Sequence, residues 1–130
     1  MANKTIMVDT SVLIDYYRKT DKENSVWIGL VRQGYEFVIS SITKYEIYTG
    51  ASESQLGFWD NVLKFVRVIS FDESAADLAS QINSELRQKR KQIDIADLFI
   101  AATALSFGCP IATLNVKHFE RIDKLTIITN

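Results

Sequence analysis

Cysteine, proline and histidine each occur once in these 130 residues, as Cys109, Pro110 and His118. A single cysteine excludes an internal disulfide framework. One histidine and one cysteine exclude a zinc site built from those residue types. Cys109, set between Gly108 and Pro110, reads as a turn or strand-entry residue. His118 is not placed by sequence to activate it as a nucleophile. No stretch is rich in proline or glycine, and there is no repeat or low-complexity segment to mark a linker. No apolar run is long enough to span a bilayer. The N-terminal residues lack the charged-then-apolar layout of a signal peptide, so no membrane association and a cytoplasmic location are expected. Charge of one sign is also missing: 15 basic and 16 acidic side chains leave a net charge of −1. That removes any global attraction to nucleic acid, so a nucleic-acid role would need a local basic patch. The one dense basic run, Arg87-Gln88-Lys89-Arg90-Lys91, reads first as a solvated helix end favoured by the C-terminal dipole.

The chain does have the length and apolar content of one ordinary globular domain, here residues 1–130. Strands are predicted at Thr5–Val8, Phe37–Ile39, Val66–Ile69, Ile111–Thr113 and Thr126–Ile128. Helical spacing fills the intervals. A helix over Ser11–Tyr17 has Thr10 or Ser11 as N-cap. A second covers Val26–Arg32 and stops at Gly34. A third begins at Thr43. Leu56–Phe65 carries Phe58, Trp59, Val62 and Phe65 on one broad face. Asp72 caps a long helix reaching Leu86, and Ile95–Leu105 ends before Gly108. Strands separated by helices require crossovers, and crossovers of one hand give a parallel sheet covered on both faces. The fold class is therefore α/β, a single-domain α/β/α sandwich with a central parallel sheet.

Asp9 is the residue that points to chemistry. It follows the apolar run Ile6-Met7-Val8 and precedes Thr10-Ser11, which places a carboxylate and two hydroxyls at the C-terminal end of a buried strand. Open α/β sheets bind ligands at that edge. Glu46, in the first turn or so of the helix after the second strand, and Asn115, just past the fourth, can reach the same edge. Asp97 lies on a helix that leads into a strand, and pattern alone leaves its placement open. Carboxylates gathered in one cleft repel, by about 4 kcal/mol for each pair ~4 Å apart at an effective dielectric of 20. Hard divalent cations, Mg²⁺ or Mn²⁺, are the natural counterions for carboxylate, amide and hydroxyl oxygens. Each acid also has a plainer reading. Asp9 can cap the following helix, and Glu46 can be an acid near a helix N-terminus. Asp94 and Asp97 can approximate a capping box. Asp15, Asp60, Asp72, Asp77 and Asp123 read as solvated or capping acids.

Four segments carry a family resemblance. Met7-Val8-Asp9-Thr10-Ser11-Val12-Leu13-Ile14 resembles the opening motif of PIN-domain proteins. Ile42-Thr43-Lys44-Tyr45-Glu46-Ile47-Tyr48-Thr49-Gly50 resembles their second acidic motif. Asp97-Leu98-Phe99-Ile100-Ala101-Ala102-Thr103-Ala104 resembles the third, and Thr113-Leu114-Asn115-Val116-Lys117-His118-Phe119 the fourth. The match spans nearly the whole chain, in order, and its compact length is similar to that of VapC-like toxins of toxin–antitoxin pairs. The resemblance implies a Mg²⁺- or Mn²⁺-dependent endoribonuclease, a homodimer held inactive by a cognate antitoxin protein. It implies Asp9, Glu46 and Asp97 as metal-binding catalytic acids. Asn115, an amide where many relatives carry an acid, would hold a water or join the ligands. His118 stands where an acid often precedes the phenylalanine. One or two cations remain open on this pattern. Tyr16, Tyr17, Tyr48, Phe58 and Trp59 are the aromatics from which a partner groove would be built.

The resulting expectation is in-line hydrolysis of an RNA phosphodiester, with water activated by the metal. Ser11 and Thr113 would orient water or phosphate, and His118 would contact phosphate or orient Asn115, although a plain loop histidine is the simpler reading. Lys44 and Lys117 would neutralise charge near the scissile phosphate. Two rivals stand beside it. One is a phosphatase acting through an Asp9 nucleophile, which generally wants a second aspartate where this chain has Ser11. The other is a PIN-like module that binds RNA or protein without cutting.

Overall fold

Alternation decides the first strand. In β1 (Lys4–Val8) the side chains of Ile6 and Val8 join one core and Met7 the other, all three fully buried. A strand buried on both faces belongs inside a parallel sheet covered by helices. The computed structural model describes residues 4–128. Among them are four more strands: β2 (Tyr35–Ser40), β3 (Arg67–Ile69), β4 (Ile111–Ala112) and β5 (Ile127–Ile128). All pairings are parallel, in the order β3-β2-β1-β4-β5. The five predicted strands are thus present, each boundary within two residues of expectation.

The helices are α1 (Thr10–Arg18), α2 (Val26–Arg32), α3 (Ser41–Gly50), α4 (Leu56–Leu63), α5 (Glu73–Gln88), α6 (Ile95–Phe107) and α7 (Val116–Phe119). On one face, Val12 and Leu13 of α1, Leu30 of α2, Ile47 of α3 and Trp59 and Leu63 of α4 pack with Ile6 and Val8. On the other, Ala79, Ile82 and Leu86 of α5, Leu98 and Ile100 of α6 and Phe119 of α7 pack with Met7 and Val38. The result is the expected three-layer α/β/α sandwich. None of the helices of the described residues is long and apolar enough to cross a membrane.

Several local expectations are corrected. The N-cap of α1 is Asp9, not Thr10 or Ser11, because its carboxylate reaches the Ser11 and Val12 N–H groups. Ser40 caps α3 through the Thr43 N–H, so that helix starts two residues earlier and Glu46 falls in its second turn. α4 stops at Leu63, and Phe65, expected on its packed face, is 89 % exposed. α7 was not foreseen, being a single turn too short for a periodic signal. Asp15, read as a solvated or capping acid, takes the second role: its carboxylate accepts from the Val26 N–H, the first of α2, and ties α1 to α2.

Chain order matters for function. From β1 the chain moves outward to β2 and β3, then crosses back to place β4 on the other side of β1. A crevice opens at the C-terminal edge where the order reverses, between β1 and β4. α5 and α6 form a helical hairpin, with the Ser106 hydroxyl of α6's last turn donating to Ser74 at the start of α5. α6 ends at Gly108, left-handed at φ 92°, and enters β4 through Cys109 and Pro110. Its first turn therefore lies beside the C-terminal edge of the sheet, which resolves the position of Asp97 that sequence pattern left open.

Candidate active site

Asp9 is 2 % exposed and sits at the end of β1, flanked by the ends of β2 and β4. Its Oδ1 accepts from the Ser11 N–H (3.1 Å), the Ser11 hydroxyl (2.5 Å) and the Val12 N–H (3.4 Å). Its Oδ2 accepts from the Thr113 hydroxyl at 2.7 Å. The capping reading and the functional reading of Asp9 are thus compatible: one oxygen caps α1, while the other faces the β4 side of the crevice. Burial pushes its carboxyl above the ordinary aspartate range, and the charge of Asp97 pushes the same way. The bonds from Ser11, Thr113 and Val12 oppose that rise.

Ser11 and Thr113 stitch the two strand ends together. The Ser11 hydroxyl accepts from the Leu114 N–H at 2.9 Å, and Thr113 Oγ1 accepts from the Asn115 N–H at 2.8 Å. Both are positioning groups for Asp9. Glu46 is reached from α1: the Thr10 hydroxyl donates to its Oε1 at 2.6 Å. Thr10 is also 3.2 Å from Thr43, which Ser40 contacts in turn. The sequence reading missed this role for Thr10, though its position directly after Asp9 was the available signal.

Asp97 occupies the third position of α6, with its side chain 17 % exposed. The Asn115 amide donates to Asp97 Oδ2 at 3.1 Å. His118 Nδ1 lies 2.9 Å from the same oxygen and 2.8 Å from the Asn115 amide nitrogen. The plain loop histidine is therefore corrected: α7 turns His118 back onto Asp97 and Asn115. The capping-box reading of Asp94 and Asp97 is corrected too, since the Asp94 side chain caps nothing. Instead, ligand atoms of Asp94, Asp97 and His118 lie within 4.8 Å of one another. Sequence reasoning took Asp94 for a cap; its spacing of three from Asp97 on a helix start was the signal for a shared face.

The acids therefore form a string along one edge, Glu46 on α3, Asp9 on β1 and Asp97 on α6, joined through Thr10, Ser11, Thr113 and Asn115. Among the described residues no lysine or arginine is in a salt bridge with Asp9, Glu46 or Asp97. A carboxylate as buried as Asp9, with only neutral donors, lacks its counter-charge. A donor set of carboxylate and amide oxygens fits a hard divalent cation such as Mg²⁺ or Mn²⁺. Lys44 is exposed on α3 and Lys117 exposed on α7.

The aromatics expected to line a partner groove largely contact each other. Tyr17 packs on Phe58 and Trp59 with ring centroids 5.0 and 5.6 Å away, and Tyr16 on Trp27 at 5.1 Å. Trp59 is core.

The family model of the PIN domain matches residues 6–125. The chain is 39 % identical over 118 residues to ribonuclease VapC1 of Methanocaldococcus jannaschii, covering 90 % of this chain and 80 % of that one. It is 31 % identical over 124 residues to the tRNA(fMet)-specific endonuclease VapC of Shigella flexneri, covering 92 % of each. The crystal structure of DNA-bound VapBC from Salmonella typhimurium contains a chain that superposes with a TM-score of 0.83, at 28 % identity over 98 % of both chains.

Proposed function

Since this chain belongs to the PIN domain family, we propose that it is an endoribonuclease that hydrolyses RNA phosphodiester bonds with Mg²⁺ or Mn²⁺. The observation that carries the proposal is the buried Asp9 carboxylate, aligned with Asp97 and Glu46 and, among the described residues, in no salt bridge with a lysine or arginine. Asp9 and Asp97 hold the cation, with Glu46 and Asn115 completing the oxygen donors. A divalent cation there supplies positive charge for the phosphoryl transition state and acidifies water. Ser11 and Thr113 fix the Asp9 carboxylate from both sides, so that its free lone pairs keep one direction. Asn115 and His118 do the same for Asp97. Thr10 holds Glu46 against α1.

The relatives named VapC and the VapBC assembly support a toxin in a toxin–antitoxin pair, silenced by a cognate antitoxin protein. A homodimer is the oligomer we assign to it.

The test is incubation of the antitoxin-free protein with a pool of cellular RNA, with and without Mg²⁺ or Mn²⁺, beside Asp9→Asn. Discrete, metal-dependent cleavage that vanishes in the variant is expected. RNA binding without cleavage would transfer the assignment to a non-cutting module. Phosphorylation of Asp9 by a small phosphodonor would transfer it to a phosphatase.

A further inference from the structure

An edge built from Asp9, Glu46, Asp94 and Asp97 repels the polyanion it is meant to cut. With 15 basic against 16 acidic residues, the chain as a whole offers no compensation. Compensation has to be local. Arg18 and Lys19 line one open cavity with Thr10 and Ser11, and the denser cluster lies where Arg90, Lys91, Lys117, Glu120 and Arg121 line another of about 540 Å³. Four of its five lining residues are cationic and one is acidic. Cavities of 300–1,000 Å³ accommodate small-molecule-sized groups, a nucleotide among them.

A peptide link and a pair of hydrogen bonds connect this basin to the segments that carry the acids. Lys117 directly precedes His118, whose ring touches Asp97. Arg121 Nη1 donates to the Gln92 carbonyl at 2.9 Å and to the Lys91 carbonyl at 3.4 Å, binding the segment after α7 to the α5–α6 loop that ends at Asp94. Among the described residues Arg90, Lys91 and Lys117 enter no salt bridge, and all three are exposed. Lys89, by contrast, is paired with Asp123.

Arg90 carries a second mark. It is the non-glycine residue with positive φ (56°) among those described. It closes α5: the Lys91 N–H reaches back to the Leu86 carbonyl at 2.9 Å. Glycine is the usual occupant of that left-handed position, because a Cβ is unfavourable there. Strain held by a charged side chain at the rim of a cleft is an argument for use of that side chain.

We propose that this basin grips the backbone phosphates of the RNA strand beside the scissile bond, with Arg90, Lys91 and Lys117 as the contacts and Arg121 as the residue that positions the loop. The proposal rests on the endoribonuclease reading. It also replaces the first reading of Arg87–Lys91 as only a solvated helix end.

The test is fluorescence anisotropy of a labelled single-stranded RNA with the full chain in EDTA, across a salt series. Arg90→Gly with Lys117→Gln is expected to weaken binding roughly tenfold and to reduce the salt slope by ~1.4, two phosphate contacts at ~0.7 each on single strands. Arg90→Gly alone is expected to raise Tm while it weakens binding, a pairing of signs that a structural role would not give. Lys64→Gln, at the end of α4 near β3 on the opposite edge of the sheet, is expected to bind as wild type does. Unchanged affinity and slope in the double variant, in a protein that still cleaves RNA with metal, would sink the basin alone. An equal loss in Lys64→Gln would do the same. A wild-type protein that neither binds nor cleaves RNA would sink the nuclease reading and the basin with it.

Discussion

His118 Nδ1 stands 2.9 Å from Asp97 Oδ2, across 21 positions of sequence and a whole strand. The imidazole and the Asn115 amide converge on one carboxylate oxygen, which fixes the rotamer of Asp97 from the α7 side. Partners of metal-binding carboxylates typically contribute 10–100-fold to metal affinity or activity. His118→Ala and Asn115→Ala are each expected to lower Mn²⁺ affinity and cleavage by about that factor. Calorimetric titration of Mn²⁺ reads the first, and cleavage at rising Mn²⁺ should recover much of the second. Unchanged affinity in both variants would exclude this positioning role.

Asp9→Asn is expected to reduce cleavage by more than ~100-fold and yet to stabilise the metal-free fold. Burial raises the folded carboxyl above its unfolded value. The folded state then holds the proton more tightly than the unfolded state. Wild-type stability from this group is complete at low pH and lost as pH rises from about 3.8 through the raised folded value. Asparagine has no such loss. Urea denaturation in EDTA at neutral pH should show the variant ahead, with the gap closing in acid. A variant less stable at neutral pH would contradict the argument.

Thr113 donates to Asp9 at 2.7 Å and accepts from the Asn115 N–H at 2.8 Å. Thr113→Val keeps the shape and removes both bonds, leaving buried polar groups without partners. A cost of about 1–3 kcal/mol is expected, together with reduced cleavage. Thr113→Ser retains the hydroxyl and should recover most of the activity, with unfolding and rate measured on the same preparations.

Cys109 is 8 % exposed, and burial pushes its thiol up to about 11. The reactive thiolate is therefore scarce at neutral pH. Native protein is expected to resist iodoacetamide at pH 8, and urea-unfolded protein to react quickly. The contribution to stability runs in a fixed direction: it is intact below about 9 and falls as pH rises from 9 to about 11, because the unfolded chain ionises first. Rapid native labelling at pH 8 would refute it.

The strands were legible because β-branched runs bounded by turns leave little alternative, and the doubly covered sheet followed from their spacing. Asp9 was legible for the same reason, as the residue at which a buried run turns polar. Asp97 was legible only through resemblance. Its position depends on the α5–α6 hairpin, which returns the chain to the active edge, and no local propensity encodes which way a hairpin leans. His118 was misread because α7 is a single turn, shorter than any period that sequence can display. The basic run Arg87–Lys91 was read as a solvated helix end and does close α5 in exposed positions, but the left-handed backbone of Arg90 was not legible, because a basic run looks alike whether it lies on a helix or in the turn that closes one. Phe65 was misread because hydrophobic spacing was extended two residues past the end of α4.

The bond between Thr113 and Asp9 joins residues 104 positions apart. A chain made from its N-terminus, at roughly 5–20 residues per second, spends several seconds or more between the two. Until β4 docks beside β1, Asp9 lacks its second wall and Asp97 lacks Asn115. The nascent chain therefore emerges disarmed. A ribosome making an RNA-cutting protein is shielded from its own product until β4 has been made, by nothing more than the order in which the strands are written.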